Sequence, residues 1–96
     1  MADYELSNEA ENDVVDIGRF TINRWGLAQA DDYIVGLHDT LGLLADSPRL
    51  GRSIDDLREG YRRHEYKSHS IFYQLQSDGI RVIRILHQRM DPERHL

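Results

Sequence analysis

The spacing of hydrophobic residues predicts a short strand and then a helix at the start of the chain. Tyr4-Glu5-Leu6 alternates apolar and polar residues over a run too short for a helix, which indicates a strand. Ser7 or Asn8 can cap the helix that follows, and Gly26 ends it. The predicted apolar stripe of this helix comprises Ala10, Val14, Ile17, Thr21, Ile22 and Trp25.

A second helix is predicted to begin at Leu27 or Ala28. It ends before Ser47-Pro48, because proline disfavours helix at the preceding residue. Two helices joined by so short a link must run antiparallel, so they form a helical hairpin. The apolar stripe of the second helix comprises Ala30, Tyr33, Ile34, Leu37, Leu41 and Leu44.

The second half of the chain changes to a period of two. After a predicted loop over 47–60, strands are expected at Tyr61–Tyr66, Ile71–Leu75 and Ile80–Leu86, and Asp78-Gly79 favours a tight hairpin turn. The order β-α-α-β-β-β predicts a two-layer α+β fold, with the hairpin of helices packed on a small, mainly antiparallel sheet. The tail, residues 87–96, has little periodicity and is expected to lie outside the packed elements.

Length and composition narrow the protein class. A chain of 96 residues with 40% hydrophobic and 30% charged residues predicts one folded domain over 1–96. The absence of cysteine excludes disulfides and thiolate metal sites. No apolar run is long enough for a membrane span, and the N-terminus shows no secretion signal, so we expect no membrane association and a cytoplasmic protein.

Charge is distributed unevenly along the chain. Residues 1–46 hold ten acids and two bases, a balance of −8, whereas residues 47–96 hold seven acids and ten bases, a balance of +3. Nine of those ten bases are arginine, whose planar guanidinium suits carboxylates and phosphates. The basic half could therefore bind anionic partners, or it could pair with the acidic half inside the fold.

Catalytic motifs are absent from the sequence. It contains no Gly-x-Ser-x-Gly, glycine-rich phosphate loop or His-Glu-x-x-His. The five histidines show no ligand spacing within one element, and His64 and His69, which could face each other across a hairpin, lack a third ligand. We therefore expect no metal and no cofactor, and an interaction protein rather than an enzyme.

Several short segments, in this order and spacing, resemble a known family. They include Arg24-Trp25-Gly26, the run from Leu57 to Arg63, His69-Ser70-Ile71-Phe72-Tyr73 and the run from Ile83 to His87. Together the segments resemble the ParE toxins of bacterial type II toxin–antitoxin pairs, in the RelE/ParE superfamily. The resemblance implies the same strand–helix–helix–strands fold.

The family resemblance also implies a function. It implies a toxin that traps DNA gyrase on cleaved DNA, blocks replication and is neutralised by a ParD-like antitoxin. That antitoxin would have a ribbon–helix–helix DNA-binding part, and the complex would repress its own operon with operator DNA contacted mainly through the antitoxin.

Candidate site residues follow from this resemblance and from the need for apolar pockets with charged rims. For antitoxin binding we expect Trp25, Tyr33, Leu37 and Leu41, with simple core packing as the alternative. For gyrase contact we expect the sheet end and tail, with salt bridges to the acidic helices as the alternative for the arginines. The gyrase set is Arg62, Arg63, Arg84, His87, Arg89 and Met90.

Two other functions remain open. A RelE-like endonuclease that cleaves mRNA on the ribosome would use Arg62, Arg63, Arg84 and His87 around the scissile phosphate. RelE-like nucleases usually carry lysines in the middle strands and a tyrosine in the tail, whereas Lys67 is the only lysine here and 87–96 contain no tyrosine. The third possibility is an inert family member that binds only its antitoxin.

Overall fold

The computed structural model describes residues 2–96, and it confirms the predicted two-layer α+β fold. A hairpin of two long helices covers one face of a five-stranded sheet of order β1-β5-β4-β3-β2. β1 runs parallel to β5, and the other neighbouring strands are antiparallel. In chain order the elements are β1 (Asp3–Leu6), α1 (Asn8–Trp25), α2 (Leu27–Asp46), β2 (Arg52–Ser53), β3 (Tyr61–Tyr66), β4 (His69–Gln76), β5 (Gly79–His87) and α3 (Pro92–His95).

Ser7 determines where α1 begins and where it sits on the sheet. Its hydroxyl oxygen accepts the backbone N–H of Ala10 at 3.0 Å, which satisfies one of the free donors at the helix start. The same hydroxyl donates to the carbonyl of Ile83 at 2.7 Å. One buried side chain thus caps α1 and joins it to β5.

The hydrophobic core has one part on each face of the sheet. The larger part lies between helices and sheet and includes Leu37, Leu41, Ile71 and Tyr73. On the opposite face a smaller cluster of Ile54, Phe72 and Leu86 is covered by Leu57, Tyr61 and Leu96. The alternation of β4 produces this division, because consecutive strand residues point to opposite faces.

The prediction that the tail lies outside the packed elements is wrong. Pro92–His95 form α3, capped by Asp91, and Leu96 packs against the smaller cluster. Arg58 and Arg84 donate hydrogen bonds to the carbonyls of Leu96 and His95. The segment is too short and polar to show a period of its own, and its position depends on contacts with distant parts of the chain.

The predicted loop 47–60 also contains a short strand. Arg52 and Ser53 pair with Arg63 and Arg62 as β2 at the sheet edge. Two residues cannot produce a recognisable alternation, so the partner strand decides this pairing. The same register places His64 opposite Ile71, so His64 does not face His69.

Gly79 allows the parallel pairing of β1 with β5, and replacing it should destabilise the protein. Its φ of 131° is open to glycine alone, and a Cβ there would overlap the Asp3 backbone. We expect Gly79→Ala to lower the free energy of unfolding by about 3 kcal/mol or more in urea titrations. Gly42→Ala is the control: its Cβ would meet no atom within 4 Å, so it should stabilise helix α2 by about 0.5–1 kcal/mol. Equal effects of the two substitutions would contradict this account.

Candidate protein-binding groove

An open groove of about 610 Å³ lies between the helices and the last part of β5. Phe20 and Trp25 line it from α1, Tyr33 from α2, and Met90 from the segment after β5. The side chains of Phe20 and Trp25 are 63% and 57% exposed, which is unusual for large aromatic residues. Adjacent exposed aromatic residues beside a cavity are typical of a protein-binding surface.

The Asp13–Arg84 ion pair builds one wall of the groove. The Asp13 carboxylate accepts hydrogen bonds from Arg84 Nε at 2.8 Å and Nη2 at 3.0 Å, and both side chains are at least four-fifths buried. These hydrogen bonds raise the pKa of Arg84 above its ordinary value. Asp13 also accepts the backbone N–H of Ile85 at 2.9 Å. The carboxylate therefore holds α1 against the edge of β5.

β5 is only partly covered at this edge, because β1 ends opposite Val82. Ser7 bonds the carbonyls of Val82 and Ile83, and Asp13 bonds the N–H of Ile85. Since the N–H and C=O of a strand residue point to the same side, the Ile85 carbonyl also faces this edge. Beside the apolar rim, the groove therefore presents the Ile85 carbonyl as an acceptor for an extended segment.

Tyr33, His69 and His87 form the polar end of the groove. The Tyr33 hydroxyl lies 2.7 Å from His69 Nδ1, and His69 sits directly opposite His87 with the ring centres 5.4 Å apart. Burial lowers the pKa of His69, and the neighbouring His87 shifts the pKa in the same direction. Sequence reasoning missed this pair because the two residues are 18 positions apart and meet only through the strand register.

The four residues predicted to bind an antitoxin do not share one environment. Trp25 and Tyr33 line the groove. Leu37 and Leu41 are fully buried in the main core, so the prediction that they contact a partner is wrong. Their regular spacing on α2 reflects packing on the sheet, which is the alternative that the sequence left open. Phe20 was missed, although an aromatic residue outside the apolar stripe of α1 is itself a signal of an exposed contact.

The six residues predicted to contact gyrase fall in two regions. Arg84, His87 and Met90 line the groove beside Trp25 and Tyr33, and Arg89 is exposed next to them. Arg62 and Arg63 lie on β3, on the far side of β4 from β5.

Arg62, Arg63 and Arg84 all use their guanidinium groups within the chain. Arg62 donates to the carbonyl of Gly51 at 2.9 Å, and Arg63 donates to Glu65 at 2.7 Å. Of these three, only Arg84 forms a salt bridge with an acid of the helices, Asp13. The alternative that the arginines pair with the acidic helices therefore holds for Arg84 and not for Arg62 or Arg63.

The groove shows no arrangement suited to a metal ion. Within residues 2–96, no three histidine, aspartate or glutamate side chains come together as ligands.

None of the helices described over residues 2–96 is both long and apolar enough to cross a membrane.

Sequence comparison identifies the family. The family model for the ParE toxin of the type II toxin–antitoxin system parDE matches residues 4–92. The chain belongs to the ParE toxin family. This is the family whose resemblance was noted in the sequence, and its members are toxins of type II toxin–antitoxin systems.

Full-length relatives support this membership. The chain is 42% identical over 94 residues to Toxin ParE1 of Mycobacterium tuberculosis, covering 97% of this chain and 96% of that protein. It is 42% identical over 98 residues to Toxin ParE1 of Caulobacter vibrioides, covering 100% and 99%. A chain from the structure titled "Chromosomal ParDE TA system from P. aeruginosa" shares the fold, with a TM-score of 0.75 at 17% identity over 91% of this chain and 96% of that one.

The Asp13–Arg84 pair should contribute far more to stability than the ion pair on the sheet surface. We expect Asp13→Asn to lower the free energy of unfolding by about 2 kcal/mol, because it leaves a largely buried guanidinium without its charge partner. Glu5→Gln removes the exposed Arg81–Glu5 pair and should change stability by less than about 0.5 kcal/mol. Urea denaturation of both variants checks this, and similar losses would show that burial does not set the strength of the pair.

Proposed function

We propose that this ParE-family toxin inhibits DNA gyrase and so blocks replication, and that a ParD-like antitoxin neutralises it by binding in the groove. The observation that carries the antitoxin part is the exposed aromatic rim of Phe20 and Trp25 beside the open edge of β5. An amphipathic segment could bury apolar side chains against this rim and bond the backbone of β5. The name of the related P. aeruginosa structure, a ParDE system, supports a partner of this type.

The charges of the groove also fit a peptide better than a nucleic acid. Asp13 neutralises Arg84, and Asp16 adds a further negative charge to the wall. Asp31, Asp32 and Asp39 lie exposed on α2, so the helical face would repel a phosphate backbone. We therefore propose that the complex represses its operon with operator DNA contacted through the antitoxin.

The structure favours a non-catalytic inhibitor over the RelE-like nuclease. Cleavage of RNA needs cationic donors directed at the scissile phosphate, but Arg62, Arg63 and Arg84 are bonded within the chain. The single lysine, Lys67, sits over the rings of Tyr33 and Tyr66 at 5.4 and 5.6 Å from their centres.

For gyrase contact we propose the surface formed by His87, Arg89 and Met90. The backbone N–H groups of Arg89 and Met90 both bond to His87, so the three residues form one compact turn after β5. Because His87 and Met90 also line the groove, an antitoxin bound there would cover part of this surface. Overlap of the two binding sites would account for neutralisation without any change in the fold.

Expression of the chain alone distinguishes the three functions. A gyrase inhibitor should cause filamentation and a DNA-damage response before protein synthesis slows, and purified toxin should increase gyrase-cleaved plasmid. A ribosome-dependent nuclease would arrest translation first. Normal growth at confirmed expression would contradict the gyrase proposal and would leave only the hypothesis of an inert family member that binds its antitoxin.

Truncation of Trp25 should weaken antitoxin binding selectively. We expect Trp25→Ala to raise the Kd for the proposed ParD-like antitoxin by about 30-fold or more, which corresponds to about 2 kcal/mol for a central aromatic contact. Val35→Ala removes a similarly exposed apolar side chain from α2 outside the groove and should leave the Kd unchanged. Titration calorimetry measures both, and equal effects would place the antitoxin elsewhere.

Arg89→Ala tests the gyrase surface better than removal of the tail. Deleting residues 87–96 would take His87 and Met90 from the groove and Leu96 from the core, so it would disturb both functions. Arg89 is exposed, and only its backbone is bonded to His87. We expect Arg89→Ala to reduce gyrase inhibition at least tenfold with unchanged stability and antitoxin affinity, in a plasmid-cleavage assay with Arg94→Ala as the control. Equal activity of Arg89→Ala and the natural sequence would exclude this contact.

A further inference from the structure

Two imidazoles lie side by side at the polar end of the groove. His69 opens β4 and His87 closes β5, and the strand register pairs them directly. Their rings meet edge to face with centres 5.4 Å apart, and both side chains are partly buried and line the groove. A partner that fills the groove would cover both rings and remove the remaining water from them.

The hydrogen bonds of the pair define its neutral form. His87 Nδ1 accepts the backbone N–H of Arg89 at 3.1 Å, and a backbone N–H can only donate. A neutral His87 therefore carries its proton on Nε2. His69 Nδ1 lies 2.7 Å from the Tyr33 hydroxyl, which also lies 3.3 Å from Ser68 Oγ, so the hydroxyl can donate to His69 and accept from Ser68. In both neutral rings the Nδ1 atom therefore has a hydrogen-bond partner.

The charged groups around the two histidines do not stabilise the protonated form of His69. From α1, Asp13 is bonded to Arg84 and Asp16 lines the groove wall; from α2, Tyr33 is an uncharged hydroxyl. Lys67 from the turn before β4 and Arg89 from the segment after β5 are cationic. Burial and His87 lower the pKa of His69, while Asp13 acts in the opposite direction and is outweighed.

We propose that His69 links occupation of the groove to proton release: the partner binds the toxin whose His69 is neutral, so acidification weakens the complex. This inference rests on the proposed function, since it assigns a chemical preference to the groove that the antitoxin would occupy. It also predicts that an uncharged side chain of the partner covers the pair, because a cation there would repel Lys67 and a carboxylate would instead favour the protonated ring.

The sign of the pH dependence follows from linkage. Covering His69 lowers its pKa further, so the complex holds fewer protons than the free toxin. Above the pKa of the free toxin both states are neutral and affinity does not vary with pH. Below that pKa the free toxin must lose a proton to bind, so the Kd rises as pH falls, by at most about tenfold per pH unit for one proton.

The experiment measures the Kd between about pH 5 and 7.5, the range in which histidine titrates, using the toxin and its proposed ParD-like antitoxin. Calorimetry in two buffers of different ionisation enthalpy counts the protons released. The test variant is His69→Asn, whose amide oxygen can replace Nδ1 as the partner of Tyr33. His64→Asn, on β3 opposite Ile71 and outside the groove, is the control.

We expect the natural toxin and His64→Asn to bind more weakly below the pKa of His69 with release of protons, and His69→Asn to bind with little pH dependence. An unchanged pH dependence in His69→Asn, or a pH-independent Kd in the natural toxin, would overturn the inference and leave the antitoxin groove standing. Absence of binding at pH 7.5 would overturn the proposed function itself, and this inference with it. Nuclear magnetic resonance titration of His69 in the free toxin and in the complex gives the two pKa values directly, even if the variant fails to fold; a pKa that does not fall on binding contradicts the proposal.

Discussion

The attachment of α1 to the edge of β5 is the constraint on which the rest of this structure depends. β1 protects only the first half of β5, and beyond Val82 the strand would otherwise expose its backbone groups. Beyond that point Ser7 and Asp13 bond the groups of β5 instead. Ser7 caps α1 and donates to the carbonyl of Ile83, and Asp13 accepts the N–H of Ile85 and pairs with Arg84. Both contacts attach α1 to the uncovered part of the β5 edge, and Asp13 and Arg84 then line the groove that lies next to this attachment.

The groove therefore combines features that usually occur apart. Its rim carries exposed aromatic side chains, its wall contains the Asp13–Arg84 ion pair, and the carbonyl of Ile85 faces its strand edge. A protein segment can use all three, whereas a small substrate or a phosphate would find few free charges to bind.

The groove and the turn formed by His87, Arg89 and Met90 share the side chains of His87 and Met90, and this overlap is the geometric basis of the proposed neutralisation. It also explains why the tail is not an independent module. Leu96 packs against the opposite face of the sheet, and Arg84 bonds both Asp13 in the groove wall and the carbonyl of His95 in the tail. The two faces of the sheet are thus connected through one guanidinium group.

Local sequence pattern was sufficient to predict β1, α1, α2, β3, β4 and β5, because caps, glycines and hydrophobic periods act over a few residues, but it did not predict β2 or α3. The limits of α1 follow from Ser7 and Gly26, and the stripe of α2 identifies Leu37 and Leu41 as apolar contacts, though not as core residues out of reach of a partner. Strand register and contacts between residues up to 76 positions apart decided which arginines are paired, which histidines meet and where the tail docks. Such contacts are decided by how the layers pack and by which buried charge finds a partner, and no short window of sequence contains that information.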